Sequence, residues 1–281
     1  MRGLSETYIT NLKNGFLSGI TSRVIKDKDL DLQIRENYIN IYFKGNSLLK
    51  LNEVSESQYR PEIHPKFLKD LELPDLIDSE SSKQFMNLIP TLKENIILHG
   101  ASSLEVEYEQ LLVRANNNEL RNNSEYFIVD RQLVMPGRDR IDLSAIFWKW
   151  KGRRRGQEVP LCFIEIKFAL NVEIQRVHDQ LNRYYRAISD RTEFVAIEAE
   201  RVFKQKLELG LFEQPADRIE AMKTLKVSQD PKEYQYVLIL IDYNPYSRLL
   251  DLDRFQHLPF ADRLSIFHAG FAMWQKNFET V

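Results

Sequence analysis

One cysteine in 281 residues, Cys162, leaves no partner for an internal disulfide, and its flanks Leu161 and Phe163 mark it as a small core residue rather than a nucleophile. No stretch approaches the ~20 apolar residues that a membrane helix needs. Met1–Thr10 has neither an apolar core nor a cleavage-like site, so the expectation is a cytoplasmic chain with no membrane partner. Neither sign of charge prevails: 39 Lys and Arg face 41 Asp and Glu, for a net charge of −2. Nucleic-acid binding therefore cannot be read from the whole molecule and requires a local basic patch. His64, His99, His178, His257 and His268 show no paired metal-ligand spacing. There is no Gly-rich phosphate loop, no nucleophile elbow and no internal repeat. At 43% apolar and 28% charged residues, disorder, collagen and low complexity are excluded.

The pattern of what is present divides the chain into three. Residues 1–60 read as a small α+β module: Leu12, Phe16, Leu17 and Ile20 lie at helical spacing, followed by three strands, Leu32–Arg35, Tyr38–Phe43 and Ser47–Val54, with turns at Glu36-Asn37 and Gly45-Asn46. Residues 61–100 read as a helical linker, with Pro74 separating two elements and Pro90 kinking the second. Residues 101–281 form the third part. A helix capped by Ser102-Ser103 buries Leu104, Tyr108, Leu111, Leu112 and Ala115. Three strands then follow, Tyr126–Asp130, Arg140–Trp148 and Val159–Phe168. Helices over Val172–Ser189 and Phe194–Leu209, a buried strand at Tyr236–Asp242 and a closing helix complete it. The spacing of Leu264, Phe267, Phe271, Trp274 and Phe278 predicts that last helix, with the stripe facing the core.

Chemistry concentrates in Arg140–Ile146 and Phe163–Phe168. Strand alternation buries Ile141, Leu143, Ile164 and Ile166 on one face and sets Asp142, Glu165 and Lys167 on the other. Glu165 and Lys167 project side by side, and an antiparallel neighbour brings Asp142 to them. Two carboxylates make a hard-oxygen site suited to Mg²⁺ or Mn²⁺, and the adjacent ammonium can act on a water or on phosphate charge. A second Asp-x-Lys match, Asp230-Pro231-Lys232, lies in a polar stretch without apolar flanks.

The order helix, strand, Asp strand, Glu-x-Lys strand, helix resembles the PD-(D/E)xK nuclease superfamily. Gln180-Leu181-Asn182-Arg183-Tyr184 resembles the Gln-x-x-x-Tyr of its RecB-like branch. The resemblance covers roughly residues 101–245 and lacks the namesake Pro, since Ile141 precedes Asp142. It implies an α/β, restriction-endonuclease-like fold with a mixed central sheet flanked by helices. It also implies metal-dependent hydrolysis of phosphodiesters, in DNA before RNA. Asp142 and Glu165 would hold the metal, with the Ile166 carbonyl as a third ligand. Lys167 would activate water, and Gln180 and Tyr184 would organise the site. A Glu from the first core helix is expected to assist; Glu109 is the choice, beside Glu105 and Glu107. The alternative is a binding or accessory protein that keeps the fold without turnover.

Lys149, Lys151, Arg153, Arg154 and Arg155 surround Trp150 in the turn between the two strands. That basic tip is the expected contact with the nucleic-acid backbone, with Trp150 stacking on a base. Residues 1–60 remain as a place for a protein partner.

Overall fold

The computed structural model describes residues 1–69, 71–100, 103–135 and 139–277. The amino-terminal helical stretch is two helices, α1 (Glu6–Lys13) and α2 (Ser18–Lys26), because the chain turns at Asn14–Leu17. Strands β1 (Leu30–Ile34), β2 (Tyr38–Phe43), β3 (Asn46–Ser55) and β4 (Gln58–Glu62) form an antiparallel meander, one strand more than the pattern predicts. β4 escapes a sequence reading because it contains Pro61, which an edge strand tolerates; Tyr59 and Pro61 point inward and Gln58, Arg60 and Glu62 outward. The β2–β3 turn is Lys44-Gly45, both with positive φ, the backbone of a tight hairpin.

Short helices follow: α3 (Pro65–Leu68), α4 (Ser82–Met86) and α5 (Ile89–His99). Pro90 does not kink a helix; it stands in the first turn of α5, where a missing N–H costs nothing.

The second sheet is built from β5 (Tyr126–Val134), β6 (Arg140–Phe147), β8 (Leu161–Phe168), β10 (Gln235–Ile241) and β11 (Leu264–Ala269), in the order β11-β10-β8-β6-β5. β5, β6 and β8 are antiparallel neighbours, whereas β10 and β11 run parallel to β8. Two-residue strands β7 (Glu158–Val159) and β9 (Lys226–Val227) pair beside it. Helix α6 (Leu104–Asn117) packs on one face. Helices α7 (Val177–Ser189), α8 (Thr192–Glu208) and α9 (Ala216–Met222) follow β8, and α10 (Asp253–Gln256) precedes β11. The molecule is thus mixed α/β, and no helix among the described residues is long and apolar enough to cross a membrane.

Two further expectations fail in this part of the chain. The closing helix is absent: Leu264–Ala269 is a strand, Phe267 and Phe271 are exposed, and Phe278 lies outside the described residues. The free edge of β10 offers six residues a parallel ladder, and that outweighs a spacing compatible with a helix. In α6 the buried side is Glu109, Gln110, Val113 and Asn117, while Leu104 and Leu111 are half exposed; Ser102 lies outside the described residues. Polar positions are buried there because they have partners. Asn117 exchanges two 2.8 Å hydrogen bonds with the Ile128 backbone, and Gln110 accepts from Gly45 N–H at 2.9 Å and donates to the Asp29 carbonyl at 2.6 Å. Residues 1–60 and the second sheet share one contiguous apolar core, from Tyr8 and Leu51 through Phe203 and Phe212.

Candidate active site

β8 is buried along nearly its whole length and on both faces. Cys162, Ile164 and Ile166 pack with Leu143 and Val113 of the α6 side. The opposite face is not left to water, as a one-sided polar strand would be. Glu165 is 1% and Lys167 4% exposed, beside Leu238 and Leu240 of β10 and beneath α7. Ile141, expected on the face of Leu143, joins the larger core instead.

The β6–β8 ladder ends at Leu143↔Ile164, one residue short of Asp142 and Glu165. Where the strands part, the Ile166 N–H loses a ladder partner and donates to Asp142 Oδ2 at 2.8 Å. The Asp142 carboxylate therefore sits in the gap between the two strands. Glu165 Oε1 accepts from Lys167 Nζ at 2.5 Å, and Tyr184 Oη lies 3.0 Å from Glu165 Oε2. Tyr184 Oη also contacts the Arg140 carbonyl and accepts from Gln180 Nε2 at 2.5 Å. The i,i+4 spacing on α7 thus sets Gln180 on Tyr184 and Tyr184 on Glu165.

Burial drives the electrostatics. Asp142 and Glu165 are both pushed above the usual carboxylate range, first by desolvation; the Asp142 charge pushes Glu165 further. Lys167 is pulled down by burial, but Glu165, Asp142 and Glu105 together hold it above the ordinary lysine value, so it stays an ammonium. Asp142 and Glu165 thus keep protons to higher pH than free carboxylates do.

Of the three α6 glutamates, Glu105 stands at the mouth: it accepts from Asn171 Nδ2 at 3.2 Å, and its charge acts on both Asp142 and Lys167. Glu107 turns away, into a surface pocket with Lys28 and Lys44. Glu109 is 2% exposed and pushed up to about 7 by burial and by Asp142, with Arg131 acting against them. Its Oε2 accepts from Arg131 Nη2 at 3.2 Å and its Oε1 from Gln132 Nε2 at 2.8 Å. Arg131 and Gln132 were not among the expected site residues. The signal lay in Asp130-Arg131-Gln132, a polar run inside what is one continuous strand.

The basic tip lies elsewhere. β6 runs five residues on from Asp142 to Phe147, roughly 16 Å at about 3.3 Å per residue, and the basic tip begins beyond that end. Lys149, Lys151, Arg154 and Arg155 are exposed there. Arg153 is not available to phosphate: it donates to the Ser124 and Trp148 carbonyls at 2.7 and 2.9 Å and lies over the Trp148 ring at 4.8 Å. Trp150, half exposed, is flanked by Arg153 and Arg218 rather than being a free stacking platform. Asp230 and Lys232 of the second match lie before β10, where Asp230 Oδ1 caps the Lys232 N–H at 2.9 Å.

Among the described residues no three His, Cys, Asp or Glu side chains come together as a ready metal cage. Two carboxylates side by side suit a cation that keeps most of its positions for water and phosphate, as Mg²⁺ does. Comparison with family models, with curated proteins and with solved structures finds no match to this chain.

Proposed function

We propose that this chain is a divalent-metal-dependent nuclease that hydrolyses phosphodiester bonds, in DNA before RNA, within a restriction-endonuclease-like fold. The observation that carries the reading is the convergence of the partly buried Asp142 with the buried Glu165 and Lys167 where β6 and β8 part. Stability does not account for them: burying like charges costs free energy that an apolar trio would not. A function that needs them does.

In this reading Asp142 and Glu165 are the residues that would hold Mg²⁺ or Mn²⁺, and the ion would supply positive charge against their repulsion and Lewis-acid stabilisation of the phosphate. Lys167, kept protonated, orients the attacking water and donates to the oxygen on which charge develops. Tyr184 fixes the Glu165 rotamer, and Gln180 fixes Tyr184. Glu109 adds negative charge beside Asp142, and Glu105 flanks the entrance.

The test is the purified protein with Mn²⁺ on linear, circular and single-stranded DNA and on RNA, alongside Glu165→Ala. Cleavage by the wild type and none by the variant is expected. Nucleic-acid binding with neither cleavage nor a heat of Mn²⁺ binding would favour instead the turnover-free binding protein.

A further inference from the structure

Residues 1–60 reach the charged end of the second sheet through buried polar groups. Arg131, 1% exposed, is the junction. Its Nη1 donates to Asp31 Oδ2 of β1 at 2.9 Å, while its Nε and Nη2 donate to Glu109 Oε2 at 3.3 and 3.2 Å. Nη2 also reaches the Val106 carbonyl at 3.1 Å. Asp31 is itself held: its Oδ1 accepts from Gln33 Nε2 at 2.6 Å, and Gln33 Oε1 accepts from Lys206 Nζ at 2.9 Å. Beyond Glu109, Gln132 donates to it and accepts from Arg140 Nη1 at 2.8 Å, and the Arg140 carbonyl meets Tyr184. The register of β5 on β6 puts Gln132 opposite Asp142. Polar contacts therefore run from β1 through Arg131 and Glu109 to Gln132, and Arg140, whose side chain is exposed, spans the remaining step with its carbonyl on Tyr184.

A buried cluster of this kind contributes little net stability, since desolvation offsets the attraction between its charges. Its effect is on geometry. A guanidinium is a rigid fork, and with carboxylates on both sides it has one satisfactory orientation. Glu109, gripped by Arg131 on one oxygen and by Gln132 on the other, then has a single place to stand beside Asp142. With Asp31 neutral, Arg131 loses one of its two charged anchors and is held by Glu109, the Val106 carbonyl and the Tyr42 ring alone.

We infer that Asp31 and Arg131 are positioning residues for Glu109, so that the amino-terminal module is a working part of the active site. This rests on the nuclease reading above, and it replaces the expectation that residues 1–60 serve a separate protein partner.

A double-mutant cycle on the full chain tests it, with kcat and KM measured on linear duplex DNA in Mn²⁺ and thermal midpoints measured in parallel. Asp31→Asn and Glu109→Gln are each expected to lower kcat about tenfold with KM within about twofold. The double variant is expected to be no slower than Glu109→Gln alone, because Asp31 acts only through Glu109. Multiplicative losses, or wild-type kcat in Asp31→Asn, would overturn the inference while leaving the nuclease reading intact. Should Asp31→Asn not fold, Asp31→Glu carries the same cycle, since it keeps the charge and displaces the carboxylate by one methylene. A wild-type protein that neither cleaves nor binds Mn²⁺ overturns the nuclease reading and this inference with it.

Discussion

The two ends of the β6–β8 pair handle charge in opposite ways. At the connecting loop, Lys149, Lys151, Arg154 and Arg155 stand in water, which stabilises each of them separately. At the other end Glu165 and Lys167 are cut off from solvent, Asp142 is partly so, and the three depend on one another. Residue type alone does not distinguish the two ends, since both are rich in charge. The difference teaches that a charge is informative where the fold removes water from it, because only there must something else compensate.

Breaking the buried end should have the largest consequence. Asp142→Ala or Glu165→Ala is expected to abolish cleavage and weaken Mn²⁺ binding, read by calorimetry; unchanged Mn²⁺ affinity in both variants would sink the metal assignment. Lys167→Ala should cut turnover by a factor on the order of 10² while leaving Mn²⁺ affinity near wild type. Full activity in that variant would remove the lysine from the chemistry.

A smaller effect sharpens the contrast without substrate. Because burial raises the folded-state values of Asp142 and Glu165, the native protein keeps protons that the unfolded chain releases near pH 4. Without metal, stability therefore falls as pH rises from there through the raised values. Asp142→Asn retains an acceptor for the Ile166 N–H and removes one charge, so in EDTA it should raise the thermal midpoint at pH 8 by about 2–4 °C and do less at pH 5. An equal gain at both pH values would dissociate the effect from ionisation.

The smallest effect belongs to the exposed end. Each phosphate neutralised on duplex DNA contributes roughly −0.9 to the slope of log affinity against log salt. Replacing Arg154 and Arg155 by Ser should flatten that slope by up to about 1.8, with Mn²⁺ binding unchanged. An unchanged slope would make the loop a solvated turn and nothing more.

Much of the candidate site is visible in the sequence because strand alternation is a short-range signal: Ile141-Asp142-Leu143 and Ile164-Glu165-Ile166-Lys167 each show ionisable groups framed by apolar ones. The pairing of those two strands follows from their being neighbours along the chain, joined by the 13 residues 148–160. What the pattern does not carry is tertiary compensation. Gln110 and Asn117 look like solvent positions of α6 until their partners, Gly45, Asp29 and Ile128, are in place. Arg131 reads as the end of a strand until Asp31 and Glu109 arrive from distant parts of the chain. Leu264–Ala269 is ambiguous locally, and only the open edge of β10 decides it.

The mixed direction of the second sheet also sets an order of assembly. β1 to β4 join through short turns, whereas β8 meets β10 only across the long stretch that carries α7, α8 and α9, and β11 lies further along the chain still. Closing so long a loop is slow, because its entropy cost precedes any reward from pairing. On refolding, amide protons of the meander should become protected from exchange before those of β8 and β10. In the interval the run Tyr236–Ile241 is unpaired and strongly apolar, which makes this chain vulnerable to self-association at the stage just before its carboxylates are enclosed.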